Sequence, residues 1–322
     1  MITSPSLSMW YRPRSAAALV ALAFLVATAP QARAQQSFST AEEAAAALVS
    51  AARTGDRTRM LRVLGRDGAD IVSSGDAVAD ANTRKAFLTA YDAKHRITTE
   101  KEGEATLIVG DDDFPFPIPL MRKDGGWQFD TTAGREEILF RRIGRNELSA
   151  IEVCRAYVDA QQEYAEKTEA RGTYARRIVS QRGKRDGLYW FARPGEEESP
   201  LGEFVAAAAP QGYRAGQQRT PYHGYYYRIL TSQGANAPGG AIDYLVRGKM
   251  IGGFALVAYP AEYANSGIMT FLINHQGIVY QKDLGPNTAR LAARMRAFNP
   301  DGTWQRVSDV SRSESESPQK SQ

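Results

Sequence analysis

The 322-residue sequence is poor in the groups that usually announce chemistry: one cysteine, Cys154, and three histidines, His95, His223 and His275. A lone cysteine cannot close an internal disulfide, and three scattered histidines lack the short ligand spacings of a dedicated zinc site, so we assign no metal and no cofactor. No apolar run reaches the roughly 20 residues of a membrane-spanning helix. A G-x-S-x-G elbow, a P-loop and a dinucleotide fingerprint are all missing, which leaves acyl transfer by a strained serine and nucleotide chemistry without support. Charge of one sign is scarce as well. The formal net charge of +4 includes three arginines among residues 1–34, and the remainder carries 37 basic against 36 acidic residues. Such a balance offers no long-range attraction to nucleic acid or to an anionic membrane.

The first 34 residues read as a targeting segment. Arg12 and Arg14 precede the apolar stretch Ser15 to Ala29, Pro30 closes it, and Ala32-Arg33-Ala34 has the small-x-small form of a cleavage site. We expect a signal peptide at 1–34 and a periplasmic or secreted protein without a stable transmembrane anchor. No cysteine follows the cleavage site, so a lipid anchor is not indicated. Cys154 sits in an amphipathic helical pattern and reads as a small buried filler.

The fold class is α+β. Over residues 38–145 the pattern is helices followed by an antiparallel sheet. Thr40-Ala41-Glu42-Glu43 opens a helix ending at Gly55, Asp56 caps a second helix stopped by Gly65, and Phe87, Leu88 and Tyr91 mark a third helical turn or two. Strands are expected at 97–100, 104–109, 115–121 and 127–130, with Lys123-Asp124-Gly125-Gly126 the clearest hairpin. This order resembles an NTF2-like unit, helices wrapped by a curved sheet. Phe114, Phe116 and Trp127 belong to its core, and Asp111-Asp112-Asp113 to a charged hairpin tip.

A long helix is expected from Leu148, with Ile151, Cys154 and Val158 on one side. It opens a second α+β domain at 148–307 whose layout is similar to a type IV pilin or pseudopilin head. Residues 166–203 form a charged insertion on the solvated surface. Nine of the 15 tyrosines fall between Tyr213 and Tyr280, and only nine charged residues occur in positions 204–285. Five strands are expected there, burying Leu256, Val257, Phe271 and Ile273 against the helix as an antiparallel meander, followed by a closing helix around Leu291 and Met295. Residues 308–322 have the composition of a disordered tail.

The motifs of the second half carry a family resemblance. Tyr222-His223-Gly224-Tyr225-Tyr226-Tyr227-Arg228 leads through Gln233-Gly234-Ala235-Asn236-Ala237-Pro238-Gly239-Gly240 to Gly248-Lys249-Met250-Ile251-Gly252-Gly253-Phe254. Pro260-Ala261-Glu262-Tyr263 and Val279-Tyr280-Gln281-Lys282-Asp283-Leu284-Gly285 complete the run. Together these resemble the bacterial family catalogued as domain of unknown function number 2950. The resemblance implies export and an envelope location, and it supplies no active site to carry over.

Two functions follow as expectations. The favoured one is non-catalytic binding or scaffolding, with an envelope protein or cell-wall glycan as partner, through Tyr222, Tyr225, Tyr227, Lys249 and Tyr263. Tyrosine suits such a surface because the ring packs while the hydroxyl still bonds. The alternative is a small hydrolase or transferase using His223 as general base, with Tyr225 or Tyr227 orienting the ring and Glu262, His275 or Asp283 joining if their strands are neighbours. Gly248 to Gly253 could further cradle an anion through backbone N–H groups. Each of these has a bland counterpart: a histidine in a turn, a tyrosine in the core, a glycine at a strand corner.

Overall fold

The computed structural model describes residues 35–167, 172–213 and 220–308. The signal peptide expected at 1–34 lies outside the described residues, as does the expected tail apart from Ser308. The described residues form one compact unit.

Local capping chemistry sets the first helices. Thr40 accepts the Glu43 N–H at 3.1 Å and begins α1 (Ala41–Thr54), which Gly55 ends at φ +66°. Asp56 accepts from the N–H groups of Thr58 and Arg59 to start α2 (Arg57–Leu64). A short α3 (Ala69–Val72) follows, then α4 (Ala77–Ala93), 17 residues rather than the turn or two expected. No residue of α4 is fully buried, so its apolar periodicity is faint in the sequence.

The first sheet comprises β1 (His95–Lys101), β2 (Glu104–Val109), β3 (Phe114–Pro115), β4 (Leu120–Lys123) and β5 (Gly126–Phe129), in the order β1-β2-β4-β5 with β3 paired to β2. The single strand expected at 115–121 is two strands. Pro115, Pro117 and Pro119 have no N–H to give a ladder, so the chain leaves the sheet between them. The hairpin at Lys123–Gly126 is present, with Asp124 and Gly125 both at positive φ (+51° and +81°), as a two-residue primed turn requires. Leu48, Val63, Ile118, Leu120 and Phe129 are buried together beneath this sheet. Phe116 and Trp127 pack on that cluster as expected, whereas Phe114 is 45% exposed beneath the Arg141 guanidinium.

The long helix α5 spans Thr131–Lys167, 37 residues, and starts well before the expected Leu148. Seven charged residues between Arg135 and Glu147 mask its first turns in the sequence. Gly134 lets those turns approach the chain closely, since a Cβ there would stand 2.5 Å from the Pro117 carbonyl. Positions 145–150 therefore lie inside a continuous helix.

The C-terminal half of α5 lies on the second sheet. After α6 (Gly202–Ala208) come β6 (Tyr225–Leu230), the short pairs β7 (Ser232–Gln233) with β8 (Ile242–Asp243) and β9 (Leu245–Val246) with β10 (Lys249–Met250), then β11 (Ala255–Pro260), β12 (Met269–Asn274) and β13 (Tyr280–Asp283). Helix α7 (Thr288–Arg294) and β14 (Gln305–Arg306) end the fold, and the main sheet runs antiparallel in the order β14-β13-β12-β11-β6. Ile151, Cys154 and Val158 share one core with Leu256, Val257, Phe271 and Ile273, as the hydrophobic pattern predicts. Helix α7 is tied to β6 by Arg228, whose guanidinium donates to the carbonyls of Ala292 and Met295. Apart from the half-buried Asp186, the charged residues of the 166–203 insertion are exposed where described, but Ala175, Leu188, Trp190 and Leu201 between them are buried in the main core.

Candidate functional site

A buried carboxylate outside the expected site residues ties the first helices to the second half of the chain. Asp76, fully buried, caps α4 by accepting from the N–H groups of Val78 and Ala79 through Oδ1. Its Oδ2 accepts from the Tyr213 hydroxyl at 2.9 Å and from the Gly224 N–H at 2.9 Å. The Tyr213 oxygen in turn accepts the His223 N–H at 3.3 Å. His223 and Gly224 are the two central residues of the turn leading from Tyr222 to Tyr225, at φ +49° and +74°. The histidine therefore stands where a primed turn favours asparagine or glycine.

Beside this turn is a cavity of about 170 Å³. Tyr157 and Val153 of α5, Phe204 and Val205 of α6, Tyr189 of the insertion, and Tyr222 and Tyr227 next to and within β6 form much of its wall. No charged side chain lines it. Three tyrosine hydroxyls of that wall are already committed: Tyr157 donates to the Ala255 carbonyl, Tyr213 to Asp76 and Tyr227 to the Tyr222 carbonyl. Burial pushes all three phenols above their ordinary value, and Asp76 adds to the rise at Tyr213. The space is thus walled by rings and aliphatic groups, with the hydroxyls of Tyr157, Tyr213 and Tyr227 turned to the protein.

Of the five expected binding residues, Tyr222 and Tyr227 reach this cavity. Tyr225 does not: it is completely buried, with its hydroxyl donating to the Met269 carbonyl. Lys249 is exposed on the β9–β10 hairpin, in a polar groove with Arg176 and Arg177. Tyr263 lies beyond β11 and donates to Asp283 at 3.2 Å.

The hydrolase constellation is not assembled. His223 precedes β6 while His275 follows β12, and β11 separates those strands. The pairings Leu230–Ala255–Asn274 and Tyr225–Pro260 put the two histidines at opposite ends of the sheet, roughly a strand length apart. Glu262 accepts from Asn265 and Asp283 from Tyr263 and the Gly285 N–H, so neither carboxylate bonds an imidazole. The His223 ring rests edge-on against Tyr222, 4.2 Å between centroids, with Tyr213 beyond at 5.6 Å. Burial depresses its pKa, against an opposing pull from Asp76 and Glu152. Burial likewise lowers His275, whose Nδ1 has no hydrogen-bond partner and whose ring abuts Tyr244 and Phe254. His95 is exposed and stacks on Tyr91.

The remaining candidates have structural uses. Gly252 and Ile251 both give their N–H groups to the Tyr244 carbonyl rather than to the outside of the loop. Asp113 pairs with Lys94 and Arg96, and Asp111 and Asp112 are exposed beside it. Among the described residues no group of three or more His, Cys, Asp or Glu side chains could hold a metal ion, and no helix is long and apolar enough to cross a membrane. Burial pushes the Cys154 thiol up to about 12, as a filler position would. Tyr213, Tyr189 and Phe204 of the cavity wall were not singled out; the tyrosine count reaches Tyr213, but nothing in the spacing links it to Asp76, 137 residues earlier.

Residues 35–307 match the family described as "Protein of unknown function (DUF2950)", and the chain belongs to that family. No curated protein and no solved structure matches it.

Proposed function

We propose that this DUF2950 protein is exported to the bacterial envelope, periplasmic or secreted, and acts there without catalysis, holding the apolar part of an envelope component in the tyrosine-walled cavity. Export rests on the charged, apolar and small-x-small pattern of residues 1–34. We take the first helices and sheet as NTF2-like and the second sheet as similar to a pilin head on the order of elements alone.

The observation that carries the binding reading is the wall itself. A sugar needs donors and acceptors facing it, and here the hydroxyls of Tyr157, Tyr213 and Tyr227 are spent on the protein. An apolar ring or short chain asks for none. The volume, about 170 Å³, is close to that of cavities of roughly 150 Å³ that admit benzene. The ligand reading therefore shifts from glycan to hydrocarbon or aromatic group.

Toluene is a suitable probe. At tenfold excess over its dissociation constant it stabilises the fold by about 1.4 kcal/mol, a rise in melting temperature of roughly 2–4 °C for a protein of this size. Ala156→Leu, which adds three carbons to the cavity wall, should abolish the shift while leaving the circular dichroism spectrum unchanged. A null toluene result, together with saturable binding of a soluble peptidoglycan fragment that Tyr222→Ala removes, would replace this reading by glycan recognition.

A further inference from the structure

A second cavity, of about 110 Å³, lies among the N-terminal helices, away from the tyrosine-walled one. Its wall is mostly hydrocarbon: Leu48 of α1, Met60 of α2, Ile71 of α3, Phe87 of α4 and Phe116 of the proline-rich loop. Two arginines, Arg84 and Arg142, are among the residues that line the same space, with a single acid, Asp80. A hydrocarbon pocket with one uncompensated cation is an unusual thing to build, because a half-buried charge loses hydration unless a partner restores it.

The acids that act on Arg142 are Asp80, Asp70 and Glu262, and none of the three bonds Arg84. Both Asp80 oxygens are held by Ser74, through its N–H and its hydroxyl. Asp70 is paired with Arg135, and Glu262 accepts from Asn265. Arg142 donates to the carbonyls of Asp70 and Ile71 and to the Asn265 side chain, neutral oxygens apart from any carboxylate. Burial depresses its pKa, against opposing pulls from Asp80, Asp70 and Glu262. Arg84 has no hydrogen bond or ion pair to any described residue; its guanidinium lies over Gly55, where a Cβ would be 3.5 Å from its terminal nitrogen.

We propose that this cavity is a binding site for a small carboxylate with an apolar body, such as a short-chain fatty acid. The carboxylate sits against Arg84, with Arg142 adding positive potential, and the chain lies along Leu48, Ile71 and Phe87. A guanidinium matches a carboxylate in a two-bond fork, and the hydrocarbon wall excludes ions without a chain. The site is independent of the tyrosine-walled cavity, so either can fail without the other.

The test uses the mature chain carrying Ala156→Leu, which removes the first cavity as a competing sink. Hexanoate, hexanol and inorganic phosphate are titrated by calorimetry and by ligand-observed NMR. Hexanoate should bind saturably, hexanol at least about tenfold more weakly, and phosphate not measurably, since losing a charge-assisted hydrogen bond costs about that factor or more. Arg84→Met keeps the stem and removes the charge; it should weaken hexanoate about tenfold with an unchanged melting temperature. Unchanged hexanoate affinity in Arg84→Met, equal affinity for hexanol, or no saturable hexanoate binding would each overturn the proposal. Phosphate binding equal to hexanoate's would do so too, marking a plain anion site.

Discussion

Asp76→Asn is the sharpest probe of the junction that supports the tyrosine-walled cavity. The carboxylate accepts four hydrogen bonds, two from the first turn of α4 and two from Tyr213 and Gly224. An asparagine can keep its oxygen toward the helix, but then its NH₂ faces the Gly224 N–H, and two donors oppose each other. The Tyr213 hydroxyl can turn to accept; the backbone amide cannot. One stranded, buried donor costs about 1–3 kcal/mol and loss of charge assistance about 1 more, so Asp76→Asn should cost about 2–4 kcal/mol. Asp76→Ala also removes the helix cap, worth about 1 kcal/mol, and should cost about 3–5 kcal/mol. Urea unfolding followed by tryptophan fluorescence gives these values, provided the slope with denaturant is unchanged. Tyr213→Phe should cost about 1–2 kcal/mol alone, and less in the Asp76→Asn background, because contacting residues are not additive. If Asp76→Asn costs under about 0.5 kcal/mol, or if the alanine variant is no worse than the asparagine one, the junction does not bear the weight assigned to it.

Four further outcomes follow from single positions. Gly267→Ala should lower stability by about 3 kcal/mol in thermal melts, since its Cβ would fall 2.1 Å from the Tyr225 hydroxyl oxygen and that ring is fully buried. Cys154, with its thiol pushed up to about 12 and no exposed surface, should resist iodoacetamide at pH 8 and react only in denaturant. Arg247→Asn should stabilise by about 0.5–1 kcal/mol in urea titrations, because Arg247 and Gly248 occupy a turn at φ +49° and +80° that costs a long side chain more than asparagine. Burial holds His223 and His275 below the ordinary imidazole value, so from about pH 6.5 downward the unfolded chain binds more protons than the folded one. Stability should therefore fall on acidification through that window, and His223→Gln should reduce the slope. Asp80, raised by burial, works in the opposite sense at lower pH.

Where a local rule decides structure, the sequence is legible. Thr40 and Asp56 cap helices as their spacing requires, and Asp124-Gly125 makes the hairpin that such a pair favours. The pattern of Ile151, Cys154 and Val158 places α5 on the second sheet. Legibility fails where long-range contacts choose. Nothing local says that Thr131 starts the long helix, because its early turns are charged on the outside and close-packed through Gly134 on the inside. His223-Gly224 and Arg247-Gly248 form primed turns as Asp124-Gly125 does, yet only the glycine signals it. The histidines mislead for a related reason: spacing cannot tell that β11 lies between their strands.

The tyrosine-rich composition also has a physical explanation that narrows what the site can do. A buried phenol must spend its hydroxyl, and these spend theirs on backbone carbonyls and on Asp76: Tyr225 on Met269, Tyr227 on Tyr222, Tyr157 on Ala255, Tyr213 on the carboxylate. Each such bond orients a ring, and several of those rings form the cavity wall. The tyrosines therefore serve as rigid, directionally anchored hydrocarbon, where phenylalanine would supply the same surface without the anchoring. Tyr213 makes the consequence concrete, because one bond both shapes the wall and joins it to the cap of α4. A binder with a pre-shaped apolar space needs that kind of side chain. A general base would need a carboxylate or hydroxyl bonded to its ring to orient it, and among the described residues the His223 imidazole is seen only in ring contacts with Tyr222 and Tyr213.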